Sequence, residues 1–186
     1  RQFFFTLTRQ TAMLRSVVGS EMCISDRSGV VELNCGTGVD AAWVGARGVA
    51  VIATDAAAEM VAVAQRRGVD ARQLRAESTA DLAPLGPFDG ALSNFGGLNC
   101  VEDLGAVADG LAACLRPGGT ALLCIMGPVV PWEWAWYLLH GQPRRAFRRF
   151  ADVTWWRGMP IRYPSIRSAR RSLARPDHGT CPIAPC

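Results

Sequence analysis

From Val30 onward, short apolar runs alternate with stretches whose apolar residues recur at helical spacing. Residues 30–34 read as a buried strand, and residues 40–47 as a helix with a carboxylate, Asp40, in its favourable first turn. Residues 49–54 form a second apolar strand that ends at Asp55. Residues 56–67 form an Ala-rich helix stopped by Gly68. A third strand is predicted over 69–75, ending near Glu77, and a Pro/Gly loop over 82–87 leads into a fourth strand, Phe88–Ser93. Val101, Leu104, Val107, Ala108, Leu111 and Leu115 keep helical spacing, so 101–115 reads as an amphipathic helix. Residues 116–119, Arg-Pro-Gly-Gly, make a turn into a fifth strand over 120–126, apolar throughout as a strand covered on both faces should be. This alternation predicts an α/β fold with a doubly wound, mostly parallel, Rossmann-like sheet and right-handed crossovers. No internal repeat is present beyond it.

The flanks follow different rules. Residues 1–29 contain one short helical pattern at 11–18. They also contain Glu21-Met-Cys-Ile-Ser-Asp-Arg27, which closely resembles the translation of a transposon-end sequencing adapter found in assembled metagenomic data. Part of this segment is therefore expected not to be native, an expectation that an unrelated nucleotide sequence there would end. After the fifth strand, Pro131-Trp-Glu-Trp-Ala-Trp-Tyr-Leu-Leu-His140 sets three tryptophans at alternate positions, ahead of Arg144, Arg145, Arg148 and Arg149. A short hairpin is predicted over 153–163 and a helix over 165–174. The chain thus divides into an N-terminal segment 1–29, a core 30–126, a Trp/Arg-rich cap or insertion 127–175 and an irregular tail 176–186.

Composition narrows the function classes. The chain has 186 residues, 49% hydrophobic, which suits one domain with a sizeable core. No apolar run reaches the length of a membrane span, the best candidate, 120–130, being broken by Gly127 and Pro128. The N-terminus lacks the long apolar core and small-residue cleavage site of a signal peptide. Seven cysteines without a C-x-x-C pair, and only two histidines, speak against a metal site and suit a reducing cytoplasm. All twenty basic residues are arginine. Residues 1–143 hold ten of them against fourteen acids, and residues 144–186 ten against two, so a mildly acidic core precedes a basic C-terminal part. The preferred reading of that part is a cap whose aromatics enclose an apolar small-molecule acceptor. Membrane-surface contact through 131–149 comes second. Nucleic-acid binding comes third and is not expected, because the net charge is only +4.

Candidate chemistry gathers where the predicted strands end. Gly36 and Gly38 follow the first strand directly, where the backbone must turn sharply and let a ligand approach. Glu32, Asp55 and Glu77 fall at the ends of the first three strands, along one carboxyl edge, and Asp55 follows Gly36 by nineteen residues, near the spacing at which an acid takes ribose hydroxyls. Gly36-x-Gly38-x-x-Ala41 also satisfies the pattern for a nicotinamide cofactor. Against that alternative, NAD(P)-dependent oxidoreduction, Glu32 and Asp40 would repel a pyrophosphate, and no second mononucleotide half follows the fifth strand. A cofactor with a cationic head suits these acids better.

Four segments in order then resemble the motifs of one family, the small methyltransferase-domain group of the class I S-adenosylmethionine-dependent methyltransferases. Val-Glu-Leu-Asn-Cys-Gly-Thr-Gly38 resembles its first motif and Asp55 its acid after the second strand. Phe88-Asp-Gly-Ala-Leu-Ser-Asn-Phe-Gly-Gly-Leu-Asn99 resembles its fourth motif, and Leu115-Arg-Pro-Gly-Gly119 the turn into the fifth strand. One departure is Asn34, where the family has its first glycine. The resemblance implies S-adenosyl-L-methionine as cofactor and methyl transfer to a small molecule. It implies Glu32 at the cofactor's ammonium, the backbone from Asn34 through Gly36 to Gly38 around the methionine tail, and Asp55 on both ribose hydroxyls. It further implies Met60 near the adenine, Glu77 accepting from the exocyclic amine, and Asn94 and Phe95 on the methyl side. Glu133 and His140 fall where the family places acceptor contacts, but no residue is assigned as catalytic. The family also leads one to expect two more sheet strands, the last antiparallel. Three prolines among residues 175–186 cannot supply them, which predicts a truncated or frame-shifted C-terminus and an exposed fifth strand.

Overall fold

A computed structural model describes residues 29–173. The predicted helical pattern at 11–18, the adapter-like segment and the proline-rich tail lie outside the described residues. Strand β1 (Gly29–Leu33) is buried along its whole length because it is hydrogen-bonded on both sides, to β2 (Ala50–Asp55) and to β4 (Phe88–Ser93). Val31 lies opposite Ile52 on one side and Ala91 on the other. With β3 (Asp70–Gln73) outside β2 and β5 (Leu115–Leu123) outside β4, all five strands run parallel in the order β3-β2-β1-β4-β5. The order reverses between β1 and β4.

The strand periodicity divides the core. Val31 and Leu33 face one side of the sheet, packed with Phe88, Leu98 and the apolar stripe Val107 and Leu111 of helix α3 (Leu104–Cys114). Val30 faces the other side, with Leu92 and with Val44 of helix α1 (Val39–Gly45), while Ala53 packs with Val61 and Ala64 of helix α2 (Ala58–Arg66). Glu32 shares the parity of Val30 and so faces α1. On that face of a central strand its carboxyl is buried.

Several boundaries differ from the sequence reading, each for a local reason. Strand β3 stops at Gln73 rather than Arg75, and residues Ala76–Leu85 coil into a 3₁₀ helix in place of the expected loop. Helix α3 begins at Leu104 rather than 101, because the Asp103 carboxylate caps it by accepting from the Gly105 and Ala106 N–H groups. The Arg-Pro-Gly-Gly turn is an excursion inside β5. Leu115 pairs with Phe88 and Thr120 with Gly90, so residues 116–119 bulge out, with Arg116 ion-paired to Asp89. The fifth strand is also not covered on both faces: Thr120 is exposed and Ala121 to Leu123 are only half-buried, because β5 is the sheet edge among the described residues.

Residues 127–173 add no strand to that sheet. They form α4 (Pro131–Leu139), a single turn α5 (Pro143–Ala146), a 3₁₀ turn Arg148–Phe150, a hairpin of β6 (Thr154–Trp156) and β7 (Met159–Ile161), and α6 (Ile166–Leu173). The predicted hairpin and the helix after it are present. The hairpin turns at Arg157 and Gly158, both with positive φ (50° and 81°), which matches the twist of two antiparallel strands. Helix α6 packs on α3, and β7 packs on the 3₁₀ turn Gly97–Cys100 that follows β4. Among the described residues no helix is long and apolar enough to cross a membrane.

Candidate functional site

The reversal of strand order leaves a crevice beyond the carboxyl ends of β1 and β4, the place where open α/β sheets take their ligands. One wall is the loop from Asn34 to Gly38. Asn34, Gly36 and Gly38 all have positive φ (56°, 53° and 71°), a tight reversal that only short or Cβ-free residues make without strain. The two glycines serve different ends. A Cβ on Gly36 would meet nothing within 4 Å, so that face of the loop is open, whereas a Cβ on Gly38 would sit 2.7 Å from the Cβ of Ala64 on α2. Asp55, at the end of β2, holds the loop: its Oδ2 accepts from the Gly36 N–H at 2.8 Å and its Oδ1 from the Ala57 N–H at 2.9 Å.

The opposite wall follows β4. Asn94 donates from Nδ2 to Oδ2 of Asp40 at 2.8 Å and accepts at Oδ1 from the Phe95 N–H at 2.9 Å. Phe95 is thereby displayed at the rim, 70% exposed, with a φ of 55° that is rare for a bulky residue. A Cβ on Gly97 would stand 2.3 Å from the Cβ of Asn34, so only glycine lets the two walls come this close.

At the floor lies Glu32, 2% exposed, with Oε2 lacking any hydrogen-bond partner. Burial, then the neighbouring Asp40, then Asp55 push its carboxyl up to about 8, against the opposing pull of the Ala41 N–H. Burial, Glu32 and Asp55 likewise push the Cys35 thiol up to about 12, which leaves it protonated and inert. Three carboxylates thus feel one another here, but the third is Asp40 and not Glu77. Burial would raise Glu77, yet its own and the Glu102 backbone N–H groups and the Arg75 guanidinium together hold it below the usual carboxylate range. Arg75 and the Glu102 N–H reach its Oε1 at 3.3 and 3.2 Å. Met60 is 42% exposed on α2.

The sequence reading puts Asp40 in the first turn after the glycine loop, near the cofactor, but without its bond to Asn94, and assigns Asn99 no role of its own. Asn99 is 1% exposed in the Gly97–Cys100 turn. Neither acceptor candidate beyond β5 is free for proton transfer in the crevice. Glu133 is ion-paired with Arg148 and Arg149 at 2.5 and 2.8 Å, and His140 terminates α4 with its ring on Trp136 and Nδ1 2.7 Å from the Trp136 carbonyl. The alternate spacing of the tryptophans on a helix separates their indoles. Trp134 packs with Phe147 and Phe150, while Trp132 and Trp136 are more than half exposed. The described residues contain no cluster of side chains able to hold a metal ion.

A parallel sheet of this order, with an acid from β2 holding the glycine loop that ends β1, is the Rossmann-like arrangement that class I S-adenosylmethionine-dependent methyltransferases share with dinucleotide-binding folds. Residues 30–119 match the family model of the methyltransferase domain. No curated protein matches the chain by sequence. Among solved structures, an S-adenosylmethionine-dependent methyltransferase of Mesorhizobium loti is similar at 17% identity, over 87% of this chain and 77% of that one, with a TM-score of 0.56. The geranyl diphosphate C-methyltransferase of Streptomyces coelicolor is also 17% identical, over 88% of this chain and 57% of that one, with a TM-score of 0.56. DesVI of Streptomyces venezuelae is 18% identical, over 64% and 49%, with a TM-score of 0.50. The chain spans about half the length of this last relative.

Proposed function

We propose that the chain binds S-adenosyl-L-methionine across the carboxyl ends of β1, β2 and β4 and transfers its methyl group in line to a small-molecule acceptor beneath the 127–173 cap. The observation that carries this reading is Glu32, a buried carboxyl with an orphaned Oε2 at the floor of a crevice that also holds Asp40 and Asp55. Such a site is incomplete without a cation, and the ammonium of a methionine tail is one. A dinucleotide would bring negative charge against the same three acids.

In this reading Glu32 pairs with the ammonium and the loop from Asn34 through Gly36 to Gly38 surrounds the methionine tail, with no side chain capping the start of α1. Asp55 takes the ribose hydroxyls on the lone pairs its two backbone bonds leave. Met60 packs near the adenine, Glu77 accepts from the exocyclic amine, and Asn94 and Phe95 line the methyl side. The cofactor supplies an electrophilic methyl group on a good leaving group. The chain supplies alignment, holding the acceptor's lone pair behind that carbon. An acceptor that is nucleophilic when neutral needs no base and loses its proton to water afterwards.

Titration calorimetry with adenosylmethionine, adenosylhomocysteine and NAD tests the assignment. Tight binding of adenosylhomocysteine supports it, NAD binding would replace it with an oxidoreductase, and silence with all three would leave a fold-bearing module without turnover. A second contact, of residues 131–149 with a membrane surface, is favoured by the exposure of Trp132, Trp136 and Leu139 on α4, ahead of Arg144 and Arg145. Flotation with anionic liposomes at low and high salt tests it.

A further inference from the structure

The 3₁₀ turn Gly97–Cys100 is wedged between two parts of the molecule that otherwise have separate jobs. On one side Gly97 lies so close to Asn34 that no Cβ fits between them, which puts the turn in direct contact with the cofactor loop. On the other side is Asn99. Its Oδ1 accepts from the Met126 N–H at 2.8 Å and its Nδ2 donates to the Met126 carbonyl at 2.8 Å, so its side chain pairs with the Met126 backbone as another strand would. The same Nδ2 donates to the Arg162 carbonyl at 2.6 Å, and the Asn99 carbonyl accepts from the Arg162 N–H at 2.7 Å.

These two partners bracket the part of the cap that runs from α4 to the hairpin. Met126 lies where the chain leaves β5 and Arg162 where it leaves β7. Around them, Arg162 reaches Glu102 through its guanidinium at 3.1 Å, and a Cβ on Gly96 would stand 2.7 Å from Cε of Met126. The Met126 side chain thus packs closely on Gly96, the neighbour of Phe95. A carboxylate or an aliphatic group at position 99 would leave two carbonyls without a donor, so only an amide makes all three side-chain bonds.

We propose that Asn99 is a positioning residue for the transfer: it locks both ends of the 127–162 segment to the turn that touches the cofactor loop, and so sets where an acceptor held by the cap stands relative to the methyl donor. The proposal rests on the reading of the crevice as an adenosylmethionine site. It predicts that occupancy of the crevice, pressing on Asn34, is transmitted through Gly97 and Asn99 to the cap.

Hydrogen exchange of backbone amides, on the whole chain with and without adenosylhomocysteine, tests this in two arms. Without ligand, Asn99→Ala, or the milder Asn99→Ser if Ala does not fold, should speed exchange at Met126 and Arg162 at least tenfold and leave β1 and β4 unchanged. Equal acceleration in β1 and β4 would overturn the lock. With ligand, the native chain should gain protection at Met126 and Arg162, and the variant should lose that gain while binding adenosylhomocysteine within about threefold of the native Kd, a small free-energy change. A purely structural Asn99 would keep the ligand-induced gain on a lower baseline, and that result overturns the positioning role. If the native chain binds no adenosylhomocysteine, the cofactor reading fails by itself and the lock is judged on the ligand-free arm.

Discussion

The Gly36 N–H donates to Oδ2 of Asp55 across nineteen residues, so the acid that ends β2 shapes the glycine loop that ends β1. The same carboxylate accepts the Ala57 N–H, which ties the start of α2 to that point as well. Loop geometry is thus fixed by the same side chain that the proposed function sets on the ribose. Asp55→Ala should leave two backbone donors unpaired and cost about 1–3 kcal/mol of stability. It should also weaken adenosylhomocysteine at least tenfold, about 1.4 kcal/mol. Thermal melts and calorimetry on one preparation separate the two effects, and unchanged affinity would remove Asp55 from the site.

The raised carboxyl of Glu32 makes binding depend on pH. With its pKa at about 8 in the free protein, Glu32 must lose a proton before it pairs with an ammonium. Adenosylhomocysteine affinity should therefore rise between pH 6 and 8, by at most about tenfold per unit, and level off above. The stability of the ligand-free chain runs the other way. The native state holds the proton more tightly than the unfolded chain, so the burden of this group is absent below about 4.5, grows as pH rises from there to about 8, and is constant above. Glu32→Gln should flatten both profiles between pH 5 and 8, and a profile that keeps its slope would point to another group.

The two loop glycines should fail differently. Both have positive φ, so alanine at either position is strained by about 1–2 kcal/mol. At Gly36 that is the whole effect, because the space is open. At Gly38 the new Cβ would also collide with Ala64, and the loss should exceed that of Gly36→Ala by about 1 kcal/mol or more. Equal losses in urea melts would show that α2 yields at that contact.

The cap has its own keystone. Glu133, with a side chain only 11% exposed, receives both Arg148 and Arg149, and Arg149 also lies over the Tyr163 ring. Glu133→Gln should deprive two guanidiniums of their shared anion and cost about 2 kcal/mol, less than a fully buried pair because Arg148 is 35% exposed and each arginine keeps another acceptor. Tryptophan fluorescence, through Trp134 on the Phe147 and Phe150 rings, should report the loosening at lower urea than the backbone signal of the sheet. Coincident transitions would mean that cap and sheet unfold as one.

The pattern of apolar runs was enough to determine the five strands, three of the helices between them and the glycine turn after β1, though not the 3₁₀ helix before β4, because period and breaker residues are local properties of the chain. It also singled out Asp55 and Glu32, whose places at strand ends follow from counting. Which carboxylates share a charge field is decided by distance in space. Asp40 reaches Glu32 through the packing of α1 on the sheet, and Glu77 is claimed by Arg75 and by the Glu102 backbone. Asn99 is the plainest case, since its partners lie 27 and 63 residues away and nothing about an asparagine in an apolar run announces them. The alternate tryptophans mislead for the converse reason: a period of two says where indoles fall only once the backbone is known to be a helix or a strand, and Pro131 at the first turn makes it a helix. Local chemistry sets the elements, and the assembled sheet and cap decide which side chains meet.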